Sequence, residues 1–390
     1  MSSFIVAAAR TPIGAFMGSL ADLSAPHLGA VAIRSAVERA GIAPDAVSEV
    51  IMGNVLTGGV GQAPARQAAL FGGLPNTVPC MTINKVCGSG LKSVMLADQA
   101  IRCGDADVVV AGGQESMTNA PYALPKARGG YKYGHGEMLD LLLHDGLWDV
   151  YNKYPMGNAA ELCATECNIS REEQDAFSIE SYKRALAAQE QGWFKDEIVP
   201  VVVAGRKGDV TVDSDEEPGR SNFDKIPLLK PSFKKDGTIT AANASSINDG
   251  AAAIVVAGEA ALKSHNLTPM ARIVAQASFA HDPAWFTTAP IDAIKRVAGK
   301  AGLSIDDIDL FEINEAFAVV ALAAQNKLGI PADKLNVHGG AVALGHPIGA
   351  SGARLLTTLV HALKRYNRKY GLVTLCIGGG EASAMIVERV

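Results

Sequence analysis

The chain has 390 residues, 48% of them hydrophobic and 19% charged, and a formal net charge of −5 at pH 7, which predicts one large buried core or a few smaller ones. The acidic balance, without a basic stripe or a cluster of basic and aromatic residues, argues against nucleic acid as a partner. No stretch approaches the roughly 18 consecutive apolar residues of a membrane span, and the first residues lack the pattern of a secretory signal, so we expect a cytoplasmic protein that binds no membrane.

The first segment with chemical interest is 84–93, where a strand-like run ends and a helical pattern begins just after Cys87. A thiol at a helix N-terminus faces unpaired N–H groups and the positive end of the helix dipole, which favours the thiolate. Gly88 and Gly90 leave room for a substrate to approach. These features favour a reactive Cys87 over the alternative, a buried structural cysteine.

The amino-acid composition of the chain changes over residues 118–248, which are richer in proline, aromatic and charged residues. A long insertion in a compact fold is usually functional, and we interpret this one as a lid or binding domain. The alternative is a solvent-exposed insertion without a function of its own. Within it, Cys163 and Cys167 lie four apart on a predicted helix without neighbouring histidines, so we interpret them as packing residues and expect no metal site. The six cysteines form no disulfide framework in a chain of this length.

Three side chains in the last third of the chain follow strands or glycine turns, at the same predicted sheet edge as Cys87. His346 is fixed between a glycine and a proline, and this placement favours a functional histidine over an ordinary polar one. Cys376 ends a buried strand and precedes three glycines, whose N–H groups can bind an oxyanion. Asn314 can orient a water or donate to an oxyanion; its alternative role is a helix N-cap.

These groups point to acyl transfer through a thioester. Cys87 would attack an acyl group with His346 as its base, and Cys376 would take a proton from the carbon next to a second thioester. A hydrolase would not need that second base. The motifs of phosphate-binding loops, dinucleotide-binding turns and zinc hydrolases do not occur.

Several segments recur in the same order, which predicts two related α/β halves. The continuously apolar strands 108–111 and 254–257 favour mostly parallel sheets covered by helices on both faces. We therefore predict a layered helix–sheet–helix–sheet–helix body with a first half at 1–117, an insertion at 118–248 and a second half at 249–390, in which about 249–275 can pack with the first half. The paired segments are 39–47 with 300–308, 88–93 with 349–354, and 108–117 with 373–385.

Segments 84–93, 314–318, 339–354 and 376–385 together resemble the signature blocks of the thiolase family. The resemblance implies an α/β fold of two duplicated halves in a five-layer αβαβα arrangement, with a loop domain inserted in the first half. It also implies a homotetramer of paired dimers, because segment 122–138 is similar to the tetramerisation loop of the family.

The resemblance implies a role for each chemical group. Cys87 would be the acylated nucleophile, His346 its base and Cys376 the acid/base toward the second substrate. Asn314 would hold a water that stabilises the enolate oxygen together with the histidine, and the N–H groups of Cys87 and Gly378 would bind the acyl-enzyme oxyanion. Arg220 would contact the coenzyme A nucleotide. The positions that match the pantetheine and acyl tunnel are Met156, Phe233, Ser245, Ala316 and Phe317.

Within the family, segments 145–153 and 286–290 are more similar to acetoacetyl-CoA thiolases than to long-chain degradative ones. The implied reaction is the reversible condensation of two acetyl-CoA to acetoacetyl-CoA and CoA, with CoA compounds as substrates and no permanently bound cofactor. Departures at Pro155, 286–290 and Glu381 leave the acyl preference open, and Pro218 stands where a potassium-binding member would carry tyrosine. The alternatives are a broad-chain degradative 3-ketoacyl-CoA thiolase and a non-catalytic acyl-CoA carrier on the same fold.

Overall fold

A computed structural model describes residues 2–390 of the chain, and its strands build one large mixed sheet and three small hairpins. The strands are β1 Ser3–Arg10, β2 Gly14–Ala15, β3 Glu49–Gly53, β4 Cys80–Ile83, β5 Val108–Ser116, β6 Tyr122–Ala123, β7 Leu139–Asp140, β8 Trp148–Asp149, β9 Tyr154–Pro155, β10 Val201–Val203, β11 Val210–Val212, β12 Asn248–Gly258, β13 Ala271–Ala280, β14 Leu310–Ile313, β15 Tyr370–Ile377 and β16 Glu381–Arg389.

Helices cover both faces of the large sheet, and none of those in residues 2–390 is both long and apolar enough to cross a bilayer. The α-helices are α1 Ala25–Ala40, α2 Pro64–Phe71, α3 Ser89–Cys103, α4 Met156–Glu166, α5 Arg171–Glu190, α6 Glu259–Ser264, α7 Ala289–Ala301, α8 Ala318–Leu328, α9 Ala341–Leu344 and α10 Ile348–Arg365.

The large sheet consists of two halves with the same strand order. The first half runs β1-β12-β5-β3-β4, and the second runs β13-β16-β15-β14. A parallel bridge from Phe311 to Leu335 adds the position that corresponds to β4. The halves join where β1 pairs with β13 at Phe4–Arg272 and Ile5–Ala271. The predicted α/β fold with duplicated halves is confirmed.

The five layers follow from where the helices pack. Helices α1 and α2 cover the outer face of the first half, and α7 packs against β13, β15 and β16 on the outer face of the second. Helices α3 and α10 lie between the halves and pack on each other and on strands of both. Their apolar side chains share one core cluster with residues of β5, β12, β15 and β16.

Helices α3 and α10 approach each other closely at two glycines. A Cβ atom built on Gly90 would lie 2.8 Å from the backbone nitrogen of Ala353, and one on Gly352 would lie 2.4 Å from that of Leu91. Neither position can hold a side chain without moving the backbone. This contact ties together the two helices that begin just after Cys87 and His346.

The prediction of mostly parallel sheets is wrong. Strand β12 is antiparallel to both β1 and β5, and β16 is antiparallel to β13 and β15. Only the pairs β3–β4, β3–β5 and β14–β15 in the large sheet are parallel. All eleven residues of β12 are buried because helices cover both of its faces. A continuous apolar run therefore indicates that both faces of a strand are covered, but it does not indicate whether the strand is parallel or antiparallel to its neighbours.

The structure also locates the boundary between the halves. Strand β12 lies between β1 and β5 in the first half, although it falls almost wholly within the segment 249–390 that we predicted as the second half. The division into domains stays a prediction. The second sheet begins at β13, and the insertion occupies the connection from β5 to β12.

Candidate active site

An apolar cavity of about 290 Å³ opens between the two halves and the insertion. The insertion contributes the π-helical turn Leu142–Leu147, the start of α4 and the segment 244–247 to its wall. Residues of the insertion therefore line the same cavity as Cys87. Eight residues that we predicted for the site line the cavity, namely Cys87, Met156, Phe233, Ser245, Ala316, Phe317, His346 and Gly378.

Cys87 lies in a tight turn that precedes α3 by one residue, Gly88. The Oδ1 atom of Asn84 accepts the N–H of Val86 at 2.9 Å, and the Ser89 hydroxyl donates to the Val86 carbonyl at 2.7 Å. Val86 has a φ of 46°, a left-handed conformation that is rare for a β-branched residue. The turn therefore holds Cys87 directly after a strained residue whose conformation is enforced by the hydrogen bonds of its neighbours.

The prediction that the helix start favours the Cys87 thiolate is wrong for the unliganded protein. Burial raises the pKa of Cys87 from an ordinary 9.0 to about 11, although the N–H groups of Gly378 and Cys87 itself act in the opposite direction. Burial outweighs these N–H groups because the charged form loses its water. Cys87 is therefore a thiol at neutral pH, and its activation needs a base.

His346 is held as a neutral imidazole with a defined tautomer. The Ser351 hydroxyl donates its proton to the Pro347 carbonyl at 2.9 Å, so it accepts from Nδ1–H of His346 at 2.6 Å. The Nε2 atom of His346 therefore carries the lone pair. Burial, followed by the positive charge of Arg354, lowers the pKa of His346 to about 3. The imidazole on the cavity wall is thus in the state that can accept a proton.

Asn314 comes directly after β14 and lies behind the cavity wall. Its Nδ2 atom is 3.3 Å from Nε2 of His346, and its own N–H donates to the Thr374 carbonyl. The Oδ1 atom is buried and has no hydrogen-bond partner in residues 2–390. This geometry pairs the amide with the imidazole.

Cys376 lies at the end of β15, completely buried, and does not itself line the cavity. Burial, and next the charge of Cys87, raise its pKa well above 9.0, so the two sulfur atoms lie close enough to influence each other. Lys85, in the turn that carries Cys87, forms an ion pair with Glu381, just past the glycines that follow Cys376. The two halves thus bring both thiols to one place.

Arg220 lies apart from the cavity. It belongs to the 3-10 turn Pro218–Arg220, its side chain is 56% exposed, and Nη1 lies 3.7 Å from Glu216. Its contact with a coenzyme A nucleotide stays a prediction. The region 2–390 holds no group of three or more histidine, cysteine, aspartate or glutamate side chains that could bind a metal ion.

Sequence analysis missed two side chains that hold the site together. Ser351 fixes the His346 tautomer, and Glu115 accepts hydrogen bonds from Asn54, from the N–H groups of Val55 and Leu56, and from the N–H of Gly349 in α10. Burial raises the pKa of Glu115 to about 7. Both residues lie in segments that repeat between the halves, and this repeat was the one sequence feature that could have drawn attention to them. The repeat does not reveal which groups they contact.

Two family models match the chain: the thiolase N-terminal domain over residues 3–260 and the thiolase C-terminal domain over residues 267–389. The chain is 54% identical over 387 residues to a Cupriavidus necator protein named acetyl-CoA acetyltransferase, with coverage of 99% of this chain and 98% of the relative. A Pseudomonas aeruginosa protein of the same name is 52% identical over 387 residues, with coverage of 99% and 98%. Acetyl-CoA acetyltransferase 2 of Arabidopsis thaliana is 54% identical over 388 residues, with coverage of 98% and 96%. The chain therefore belongs to the thiolase family.

Proposed function

We propose that this chain is an acetyl-CoA acetyltransferase, an acyltransferase that condenses two molecules of acetyl-CoA to acetoacetyl-CoA and CoA and also catalyses the reverse reaction. The observation that carries the proposal is the pairing, in one apolar cavity, of a thiol with a neutral imidazole whose Nε2 carries the lone pair that can accept the proton. Full-length relatives that carry this name support the choice of substrate.

In the first half-reaction, the Cys87 sulfur attacks the carbonyl carbon of acetyl-CoA while Nε2 of His346 takes the thiol proton. The N–H groups of Cys87 and Gly378, which already face the Cys87 sulfur, stabilise the tetrahedral oxyanion. The carbon–sulfur bond to CoA then breaks, and CoA leaves as a thiol with the proton of Cys376. Acetyl-Cys87, an imidazolium and a Cys376 thiolate result.

In the second half-reaction, the Cys376 thiolate takes a proton from the methyl group of a second acetyl-CoA. The imidazolium of His346, with the water that Asn314 holds, stabilises the enolate oxygen, and the buried Oδ1 of Asn314 is free to accept from that water. The enolate carbon attacks the acetyl carbonyl, the bond to Cys87 breaks, and the Cys87 sulfur recovers its proton from His346. All groups return to their starting states.

The alternative thiolase is a degradative enzyme with a broader acyl range. Met156, Phe233 and Phe286 line the cavity, and Phe317 makes edge contacts with both phenylalanines. This bulk favours a short acyl group. A non-catalytic carrier on the same fold is disfavoured because Cys87, Asn314, His346 and Cys376 are all present.

The remaining expectations concern assembly and location. We propose a homotetramer in which segment 122–138 contacts a neighbouring subunit, and the large side chains that this segment exposes support the proposal, with Tyr122 at 59% and Met138 at 62%. A cytoplasmic location stays a prediction, as does the absence of a permanently bound cofactor.

Mass spectrometry after mixing with acetyl-CoA tests the reaction. We expect an acetyl group on Cys87 in the wild-type protein and in Cys376→Ser, but none in Cys87→Ser. Cys376→Ser should fail to exchange the methyl protons of acetyl-CoA with solvent. No adduct on the wild type would support a carrier, and an adduct from hexanoyl-CoA but not from acetyl-CoA would support the degradative enzyme.

A further inference from the structure

Two cysteines outside the catalytic machinery lie in contact at the end of α4. The sulfur atoms of Cys163 and Cys167 are 3.9 Å apart. Cys163 is completely buried, whereas Cys167 lies just past the end of α4 and is partly exposed. The pair therefore joins a partly exposed cysteine to a completely buried one.

The two sulfurs have different chemical characters. The Cys163 thiol donates to the Cys167 sulfur, and this hydrogen bond lowers the pKa of Cys167 to about 7 against the effect of burial and of Glu166, while Lys327 also lowers it. The same hydrogen bond raises the pKa of Cys163. Burial instead raises the pKa of Cys87 to about 11. Since the thiolate is the nucleophile, Cys167 is better prepared than Cys87 for attack on an oxidant.

We propose that Cys163 and Cys167 form a peroxide-reactive dithiol that is separate from the catalytic thiols. The Cys167 thiolate attacks one oxygen of hydrogen peroxide, the O–O bond breaks, and Cys167 sulfenic acid and hydroxide form. The Cys163 sulfur then attacks the Cys167 sulfur, its proton and the leaving hydroxyl group form water, and a disulfide results. Hydrogen peroxide is reduced to two waters, and a dithiol reductant restores the pair.

The geometry of α4 permits the disulfide with a local adjustment. The Cβ atoms of residues four apart on a helix lie about 5–6 Å apart, whereas a disulfide needs about 3.5–4.5 Å, so the last turn of α4 has to tighten. Cys167 lies where the helix ends, and the next residue, Asn168, turns the chain away with a φ of 53°. Tightening there displaces no further helical turn.

The position of the pair connects it with the active site. Both cysteines pack in the apolar cluster that contains Cys376, and Met156 of the cavity wall packs against the same cluster. The charge of Cys376 also acts on the Cys163 thiol. Oxidation of the pair therefore changes the packing directly behind the proposed acid/base.

Peptide mass spectrometry of the full-length protein tests the proposal. Trypsin cleavage after Lys153 and Arg171 releases one peptide that contains Cys163 and Cys167 and no other cysteine. After treatment with hydrogen peroxide and then iodoacetamide, we expect this peptide to lose the mass of two hydrogens, to resist alkylation, and to accept two alkyl groups after reduction. Cys163→Ser should leave a sulfenic acid on Cys167 that dimedone traps, and Cys167→Ser should abolish both products.

The exposed Cys103 provides the matched control, because Cys103→Ser removes an accessible thiol and should leave the disulfide unchanged. Two results would overturn the proposal: alkylation of both cysteines in the peroxide-treated wild type, or a disulfide that joins this peptide to one carrying Cys87 or Cys376. These readouts do not use enzyme activity, so they stand apart from the proposed acetyltransferase reaction.

Discussion

The Ser351 hydroxyl lies 2.6 Å from Nδ1 of His346 and 2.9 Å from the Pro347 carbonyl. The amide nitrogen of Asn314 can only donate, so its 3.3 Å contact with Nε2 of His346 assigns the lone pair to Nε2 and the proton to Nδ1. Nδ1–H then donates to the Ser351 hydroxyl, which donates in turn to the Pro347 carbonyl. These contacts fix which ring nitrogen carries the lone pair. Ser351 is therefore a positioning residue for the proposed base, and it lies in the first turn of α10, the helix that also carries Arg354.

Replacement of Ser351 by alanine should lower kcat more than it raises KM. General base catalysis contributes roughly 100- to 10,000-fold, so loss of the preferred tautomer should reduce kcat by roughly 10-fold or more. Steady-state thiolysis of acetoacetyl-CoA measures both constants. Ser93→Ala is the matched control, because the Ser93 hydroxyl is also buried but donates to the carbonyls of Gly90 and Gly112. Equal losses in the two variants would contradict the positioning role.

The raised pKa of Cys87 predicts a specific pH dependence of alkylation in the unliganded protein. Only the thiolate reacts, and with a pKa of about 11 its fraction at neutral pH is small. The rate of Cys87 alkylation by iodoacetamide should therefore increase about tenfold per pH unit across the neutral and mildly alkaline range. The tryptic peptide of residues 86–92 reports the modification. A rate that levels off below about pH 8 would show that the N–H groups outweigh burial.

The sequence was sufficient for the fold class and for Cys87 and His346, whereas the other predicted residues of the cavity came from the family resemblance. Turn glycines, strand ends and the repeat placed Cys87 and His346 at one edge, and both line the cavity. Strand direction was not predictable, since residues 250–258 of β12 carry no polar side chain and would read the same in either orientation. The protonation state of Cys87 was not predictable either, because it depends on how much protein surrounds the sulfur.

The hydrogen bonds that support the site could not be predicted from the sequence either, for a different reason. Glu115 meets Gly349 across a separation of 234 residues, and Asn248 accepts the N–H of His346 across 98. No spacing rule links such positions. The sequence also did not show that Arg220 is exposed. Its ion-pair partner, Glu216, lies only four residues away and does not line the cavity.

Glu115 should contribute strongly to stability. One carboxylate oxygen accepts from Asn54 and from the N–H of Leu56, and the other from the N–H groups of Val55 and Gly349. In Glu115→Gln, either orientation of the amide turns its NH₂ toward two donors. Each buried donor left without a partner costs about 1–3 kcal/mol, so the free energy of unfolding should fall by about 2–6 kcal/mol.

Urea unfolding of Glu115→Gln measures this loss. Glu259→Gln is its control, because Glu259 is 60% exposed and lies 3.9 Å from Lys263 in an exposed pair, which contributes about 0–1 kcal/mol. If the two glutamine variants unfold at the same urea concentration, the four hydrogen bonds of Glu115 do not stabilise the protein.

Alanine at Gly352, in the contact between α3 and α10, and alanine at Gly299, in α7, should change the free energy of unfolding in opposite directions. Gly352→Ala places a Cβ atom 2.4 Å from the backbone nitrogen of Leu91, and a backbone atom cannot move without displacing its helix. We expect a loss of about 1–3 kcal/mol in the free energy of unfolding, together with lower activity because α3 and α10 follow Cys87 and His346. Gly299→Ala, in α7, meets no atom within 4 Å and should stabilise the protein by about 0.5–1 kcal/mol. Denaturant unfolding compares both variants with the wild type, and a stable, fully active Gly352→Ala protein would mean that the helices do not need to pack this closely.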